Sequence, residues 1–196
     1  MTSSSSPLLQ RGLDTMLLVY SLLQGHPAST PCEQFLRSQT GWFTSTLILF
    51  EARAVLTKVY GVDPALTTQK LTQFAAGPVI LLDLTPASAL SALQLADSYG
   101  LDLTDAVLLH LTRQHGASCL ATDDQRLAQA CTQFGILPQS PLDAALRQQI
   151  AAWEAANLAP KGLARVLRRV HQWLNQTHFQ AAVDFWSQTG GGSHLP

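Results

Sequence analysis

The sequence predicts an α/β fold in which a mostly parallel sheet carries helices on both faces and is followed by a purely helical extension. Three observations lead there. Short apolar runs suited to strands alternate with longer segments of helical periodicity as far as residue 138, the pattern of parallel βαβ units. One run, "PVILLDL", is continuously aliphatic and bounded by Pro, as a strand covered on both faces should be. From Ser140 onward the pattern is helical only.

Taken in order, residues 1–7 form a Ser-rich start with little apolar surface to bury, expected to be disordered. "PLLQRGL" gives a poor first strand ending at Asp14, then a short helix through "MLLVYSLL". "GHP" breaks that helix and "ASTPCEQFLRSQT" starts another behind a Ser/Thr cap. "WFTS" is a short strand, and Thr46 to Tyr60 a helix stopped by Gly61. "VDPALTTQKLTQFAAG" opens on Asp-Pro, a helix start. After "PVILLDL" come helices at Ala87–Tyr99 and Thr104–His115, the strand "ASCLAT", the helix "DDQRLAQACTQF" and a short fifth strand in "GILP". A helical extension over 139–188 and a flexible tail over 189–196 complete the chain. In the extension, Leu163, Val166, Leu167, Val170, Trp173 and Leu174 follow one stripe, and Phe179, Ala182, Val183 and Trp186 repeat it. Such stripes predict packing onto the preceding domain.

Composition narrows the function. The 196 residues are 46% hydrophobic and 13% charged, with a net charge of −1. Residues 1–140 hold seven basic and ten acidic side chains, and residues 141–196 five and three. Any contact with nucleic acid must therefore be local. Cys32, Cys119 and Cys131 lack CxxC spacing, so they read as buried apolar residues of a reducing compartment rather than as zinc ligands. "MTSSSSPLLQ" does not have the form of a secretory signal, and no apolar run approaches the ~18 residues of a membrane span. A cytoplasmic protein with no membrane contact is expected. No GxGxxG follows a strand, and neither a P-loop nor a GxSxG elbow occurs, which removes dinucleotide enzymes and serine hydrolases. A phosphoacceptor receiver domain would need an acid pair after the first strand and a late Lys; the pair here follows a late strand, and no Lys lies between Lys70 and Lys161.

Four acids then stand out. Asp14, Asp105 and Asp124 sit where a strand or loop gives way to a helix. Each has a plain structural reading, as a helix cap or a charge favoured by the macrodipole, and Asp123 could be the true cap beside Asp124. Glu51 resists that reading: it lies one turn from Leu47 and from Val55, on the side of its helix expected to face the core. A carboxylate there is costly unless partnered, and neither Arg53 nor Lys58 is a clean partner. Carboxylates at the sheet-to-helix rim of an α/β fold can converge on a hard divalent cation, the frame of a metal-dependent phosphodiesterase.

In that order, "LDTMLLVYSLL", "LFEARAVLTKVYGV" and "YGLDLTDAVLLHLTRQHGASCLATDDQRLAQACTQFGI" resemble the motif tracts of the PIN-domain family of ribonucleases, including VapC-type toxins. The resemblance covers about residues 8–138. It implies a three-layer α/β/α domain with Asp14, Glu51, Asp105 and Asp124 as both catalytic residues and ligands of Mg²⁺ or Mn²⁺. It also implies an RNA substrate, an antitoxin protein as partner and a homodimer. Asp124 matches the family's Thr-x-Asp spacing after Thr122, where Asp123 does not. Two departures are visible: Gln10, Arg11 and Gly12 interrupt the first strand, and residues 139–196 are additional. A competing class is a non-catalytic binding module that recruits a partner through this tail.

Arg165, Arg168 and Arg169 lie opposite the first tail stripe; they read either as simply solvated on a helix packed against the domain or, in the sharper reading, as phosphate contacts beside the acids. On the sharper reading, replacing all three by Gln is expected to weaken RNA binding and flatten its salt dependence with little effect on melting temperature. An unchanged salt slope in a titration of binding against salt would remove them from the RNA surface.

Overall fold

Five short strands form one parallel sheet in the order β3-β2-β1-β4-β5. The computed structural model describes residues 9–158, 170 and 173–189. Its elements are β1 (Arg11–Leu13), α1 (Thr15–Leu22), α2 (Ser29–Arg37), β2 (Trp42–Ser45), α3 (Leu47–Lys58), α4 (Pro64–Ala75) and β3 (Ile80–Leu82). There follow α5 (Pro86–Tyr99), α6 (Leu103–Gln114), β4 (Cys119–Ala121), α7 (Gln125–Gln133), β5 (Leu137–Gln139), α8 (Ala144–Asn157) and α9 (Phe179–Thr189). The expected disordered start at 1–7, the residues 190–196 of the expected flexible tail, and Arg165, Arg168 and Arg169 lie outside the described residues. Among the described residues no helix is long and apolar enough to cross a membrane.

Side chains alternate across the sheet and so create two cores. Leu13, Trp42 and Ala121 face one core with Leu17, Ile48, Leu56 and Leu71. Phe43 and Leu120 face the other with Val107, Leu109, Leu127 and Ile136. The predicted three layers are present. Asp63 starts α4 as expected, accepting from the N–H groups of Ala65 and Leu66. Cys32, Cys119 and Cys131 are free and buried; burial raises the thiol pKa of Cys32 and Cys131 to about 12, which keeps them unreactive.

The weakest strand in the sequence is the central one. Gly12 of β1 belongs there because a Cβ would stand 2.8 Å from Thr112 Oγ1 and 3.3 Å from Leu120 Cγ. A bare backbone at this point lets α6 lie against β1. The aliphatic run of β3, expected to be buried on both faces, is instead a half-buried edge strand. Its side chains cover the ends of both cores from the rim, so the run reflects contact with both and not enclosure. The expected Ser/Thr cap of α2 is also absent: Ala28 holds that position without a side-chain bond, and His26 Nδ1 accepts the Ala28 N–H at 3.2 Å.

His26 joins the extension to the domain. It is buried, stacked on Tyr20 with 4.9 Å between centroids, and met edge-on by Tyr60 and by Trp153 of α8. Tyr60 Oη donates to Glu154 Oε1 at 2.6 Å, and Leu142 and Ile150 enter the first core. Burial pulls the His26 pKa below the ordinary imidazole value, favouring a neutral ring in this box. Beyond α8 the expected packing is only partial. Ala182 of α9 is buried, but Trp173, Phe179 and Val183 are 58%, 68% and 44% exposed. The Trp186 side chain and the stripe residues 163–167 lie outside the described residues.

Gly12→Ala is expected to destabilise the protein by about 1–3 kcal/mol, the usual cost of forcing a methyl group into a packed site. Thr112 is fully buried and its hydroxyl already donates to Leu108 O, so it has little room to yield. A urea-melt midpoint equal to wild type would contradict this packing.

Candidate active site

Strand order reverses around β1, whose neighbours are β2 and β4. Beyond the carboxyl ends of β1 and β4 lies the position where open α/β sheets place their sites. Asp14 follows β1 directly and Asp124 follows β4 by three residues. The hydroxyl of Thr122 links them: it donates to Asp14 Oδ2 at 2.7 Å and accepts the Asp124 N–H at 2.9 Å. Asp14 is only 6% exposed and also accepts the Met16 N–H. It is therefore a helix cap and a site residue at once.

Glu51 and Asp105 complete the group. Asp14, Glu51 and Asp105 line one pocket together with Thr15, Ser45 and Thr104. Asp105 and Asp124 line an adjoining one with Asp102 and Arg126. Glu51 does not face the core as expected. The buried stripe of α3 is Ile48, Ala52 and Leu56, and Phe50 is 74% exposed. Glu51 sits half-buried at the edge of that stripe, because its carboxylate meets two hydroxyls there: Thr15 donates to Oε2, and Thr104 donates to Oε1 at 3.0 Å. Those threonines, from α1 and α6, are site residues that the acid pattern alone does not reveal. Their signal in the sequence is a Thr immediately after Asp14 and one immediately before Asp105.

Asp105 is not the cap of α6. That place belongs to Asp102, and among the described residues no hydrogen bond is made by the Asp105 carboxylate. Burial, then the charges of Asp14, Asp124, Glu51 and Asp102, raise its pKa to about 8. Burial above all raises Asp14 to about 6, against the opposing hydrogen bond from Thr122. Asp123 is turned away. Its Oδ1 accepts from Arg147 Nε and Nη2 on α8 and from Ser140 Oγ, while Asp124 caps α7 through the Leu127 N–H at 2.8 Å.

The four acids surround one place but do not close on it. Among the described residues no three acidic, His or Cys side chains form a group able to chelate a metal. Asp14, Glu51 and Asp124 each rest instead on neighbouring donors. The donor set itself, all oxygen and anionic with Asp105 unpartnered, has the chemistry of a site for a hard divalent cation.

The PIN domain family profile matches residues 13–132, and the chain belongs to this family. Among solved structures it is similar to VapC20 of Mycobacterium tuberculosis, described as a toxin that cleaves the sarcin-ricin loop, with a TM-score of 0.54, 16% identity, and coverage of 62% of this chain and 95% of that one. It is similar to a toxin-antitoxin complex from Klebsiella pneumoniae, with a TM-score of 0.51, 18% identity and coverage of 68% and 99%. A protein of Pyrobaculum aerophilum, PAE2754, gives a TM-score of 0.52 at 18% identity, covering 75% and 99%. No curated protein matches in sequence. At these identities the structural likenesses establish the shared fold.

A pH dependence follows from the two raised carboxyls. Between the ordinary value of 3.8 and the folded value of about 8, the native state holds a proton at Asp105 that the unfolded chain has released. That contribution to stability is complete at low pH and is lost as pH rises through this window. In buffer free of divalent cations, Asp105→Asn is expected to gain stability over wild type progressively from pH 4 to pH 8. Chemical denaturation across that range measures the difference, and a difference independent of pH would contradict the site's electrostatics.

Proposed function

We propose that this protein is a Mg²⁺- or Mn²⁺-dependent endoribonuclease that hydrolyses RNA phosphodiester bonds. The observation that carries the reading is Asp105, which is partly buried, faces three other carboxylates and has no donor of its own among the described residues. An arrangement so costly without a cation is explained by one. Asp14, Glu51, Asp105 and Asp124 would hold the metal. The ion would supply Lewis-acid polarisation of the phosphodiester and an activated water. Around it, Thr122 holds Asp14 and the start of the Asp124 loop in one register, and Thr15 and Thr104 orient Glu51. The buried wall formed by Leu13, Ile48 and Leu108 limits water on the sheet side.

Membership of the PIN family and a fold shared with toxins, one of them in complex with its antitoxin, support a toxin whose partner is a small antitoxin protein. A homodimer belongs to the same reading. The second reading, a binding module that recruits a partner through the tail, draws on the exposed Trp173, Phe179 and Val183. Cleavage assays separate the two.

Purified protein is expected to cleave RNA with Mg²⁺ or Mn²⁺ and to stop when EDTA is added. Asp14→Asn, Glu51→Gln and Asp105→Asn should each lower the rate by about 100-fold or more, the scale of a few kcal/mol of transition-state stabilisation, while remaining folded by circular dichroism. Wild-type rates in all three across a diverse RNA pool would overturn the ribonuclease reading in favour of the binding module.

A further inference from the structure

We propose that the groove between α5 and α6 is a track for a single-stranded RNA segment leading away from the acidic pockets. This rests on the ribonuclease reading and adds where the substrate strand lies. The groove has a volume of about 690 Å³, within the range of ligand sites. Gln94 and Tyr99 come from α5, His110, Arg113 and Gln114 from α6, and Phe134 from the end of α7. Among the described residues no carboxylate lines it, whereas the two pockets at the rim are lined by Asp14, Glu51, Asp102, Asp105 and Asp124. In a domain with more acidic than basic residues, such a surface is where a polyanion meets least repulsion.

The side chains suit an unpaired base and its phosphate. The Arg113 guanidinium carbon stands 3.9 Å from the centroid of the Phe134 ring, and Tyr99 meets that ring edge-on at 5.3 Å. Arg113 is exposed, so a guanidinium steadied on one side by an aromatic ring offers the other side for stacking and its N–H groups to phosphate. Gln114 Oε1 accepts from Ser88 at 3.2 Å, which leaves the amide N–H groups for a base edge. Among the described residues Leu95 is the single aliphatic one lining the groove, too little apolar surface to seat an amphipathic peptide helix.

Continuity with the acidic centre follows from the chain itself. Tyr99 lines the groove, and its neighbour Gly100 lines the pocket that holds Asp105, Asp124 and Arg126. Exposed Arg126 lines that same pocket beside Asp105 and Asp124. From Asp105 to Arg113 along α6 the rise is roughly 12 Å, the reach of a few nucleotides. A strand whose scissile phosphate lies at the acids passes Arg126 and places a following base against Arg113.

The test uses the full chain in EDTA with a short fluorescein-labelled single-stranded RNA, read by anisotropy across a salt series. Hydrolysis of bis(p-nitrophenyl) phosphate with Mn²⁺ serves as a minimal phosphodiester that cannot span the groove. Arg113→Gln is expected to weaken RNA binding about fivefold or more and to lower the salt slope by about 0.7, with the small diester hydrolysed at the wild-type rate. Arg113→Lys should keep the slope yet lose part of the affinity, because charge remains and stacking does not. Should Arg113→Gln melt early, Gln94→Ala with His110→Ala, at an exposed and a half-buried position, tests the same groove. RNA cleavage by wild type together with unchanged affinity and slope in the groove variants removes the track and leaves the ribonuclease reading standing. An equal loss on the small diester also removes it. A wild-type protein that neither binds nor cleaves RNA overturns both.

Discussion

The arrangement of the whole rim depends on one hydroxyl. Thr122 Oγ1 donates its proton to buried Asp14 and accepts from the backbone of Asp124, bridging the ends of two neighbouring parallel strands. Without that donor, a carboxylate only 6% exposed would lose its shortest recorded bond, and burying an unsatisfied charge costs several kcal/mol. Because β1 is the sheet's central strand and β4 its partner across the reversal point, the bond also fixes where α1 and α7 begin. Helix positions and acid positions are thus decided together. A cap that satisfies free N–H groups and a carboxylate that faces a pocket are the same side chain at Asp14 and at Asp124.

Much of this was legible in the sequence, for identifiable reasons. Alternating segments located all five strands and the helices around them, since each element follows its own hydrophobic period. Acids at strand ends pointed to the rim because sheet topology sends them there. What misled was burial. The aliphatic "PVILLDL" reads as buried on both faces and is a half-buried edge strand, while "PLLQRGL" reads as a poor strand and supplies the central one. Composition measures how apolar a segment is, whereas position in the sheet is set by partners far along the chain; Gly12 makes sense only against Thr112 and Leu120. Glu51 misled in the same way. Its helix periodicity pointed it toward the core, but the stripe that packs is Ile48, Ala52 and Leu56. The donors from Thr15 and Thr104 required knowing that α1, α3 and α6 meet.

The extension is no loose appendage at its start. Trp153 and Glu154 of α8 close the box around His26 and Tyr60, and Arg147 grips Asp123 with two nitrogens. Asp123 directly precedes Asp124, so a helix from outside the family's matched region reaches the loop that carries a rim acid. An exposed ion pair alone stabilises little. Here Ser140 shares the same oxygen, and Leu142 and Ile150 are already buried beside it, so the side chains lose little further freedom in forming the contact. The result separates two adjacent carboxylates by task, one turned to the extension and the other to the rim. Farther along, Trp173, Phe179 and Val183 keep large exposed fractions, so packing onto the domain accounts for α8 but not for these.

Asp105 is the clearest conflict between local stability and the rest of the fold. Asp14, Glu51 and Asp124 each have a donor nearby, and each can be read as structure. Asp105 stands one residue after a Thr that serves Glu51 and three after the cap of its own helix, with its charge opposed by four carboxylates. An amide or apolar side chain would suit that place better if folding were the only demand. Sequences satisfy local rules nearly everywhere, and the exceptions gather where function requires them. The threonines around the site sharpen the argument. They are hydroxyls that steady Asp14 and Glu51 without neutralising them, leaving the net negative charge of the rim intact. A lysine or arginine in their place would relieve the repulsion by pairing with the acids. Donors that orient carboxylates but leave their charge in place are what a site for a divalent cation needs from its surroundings.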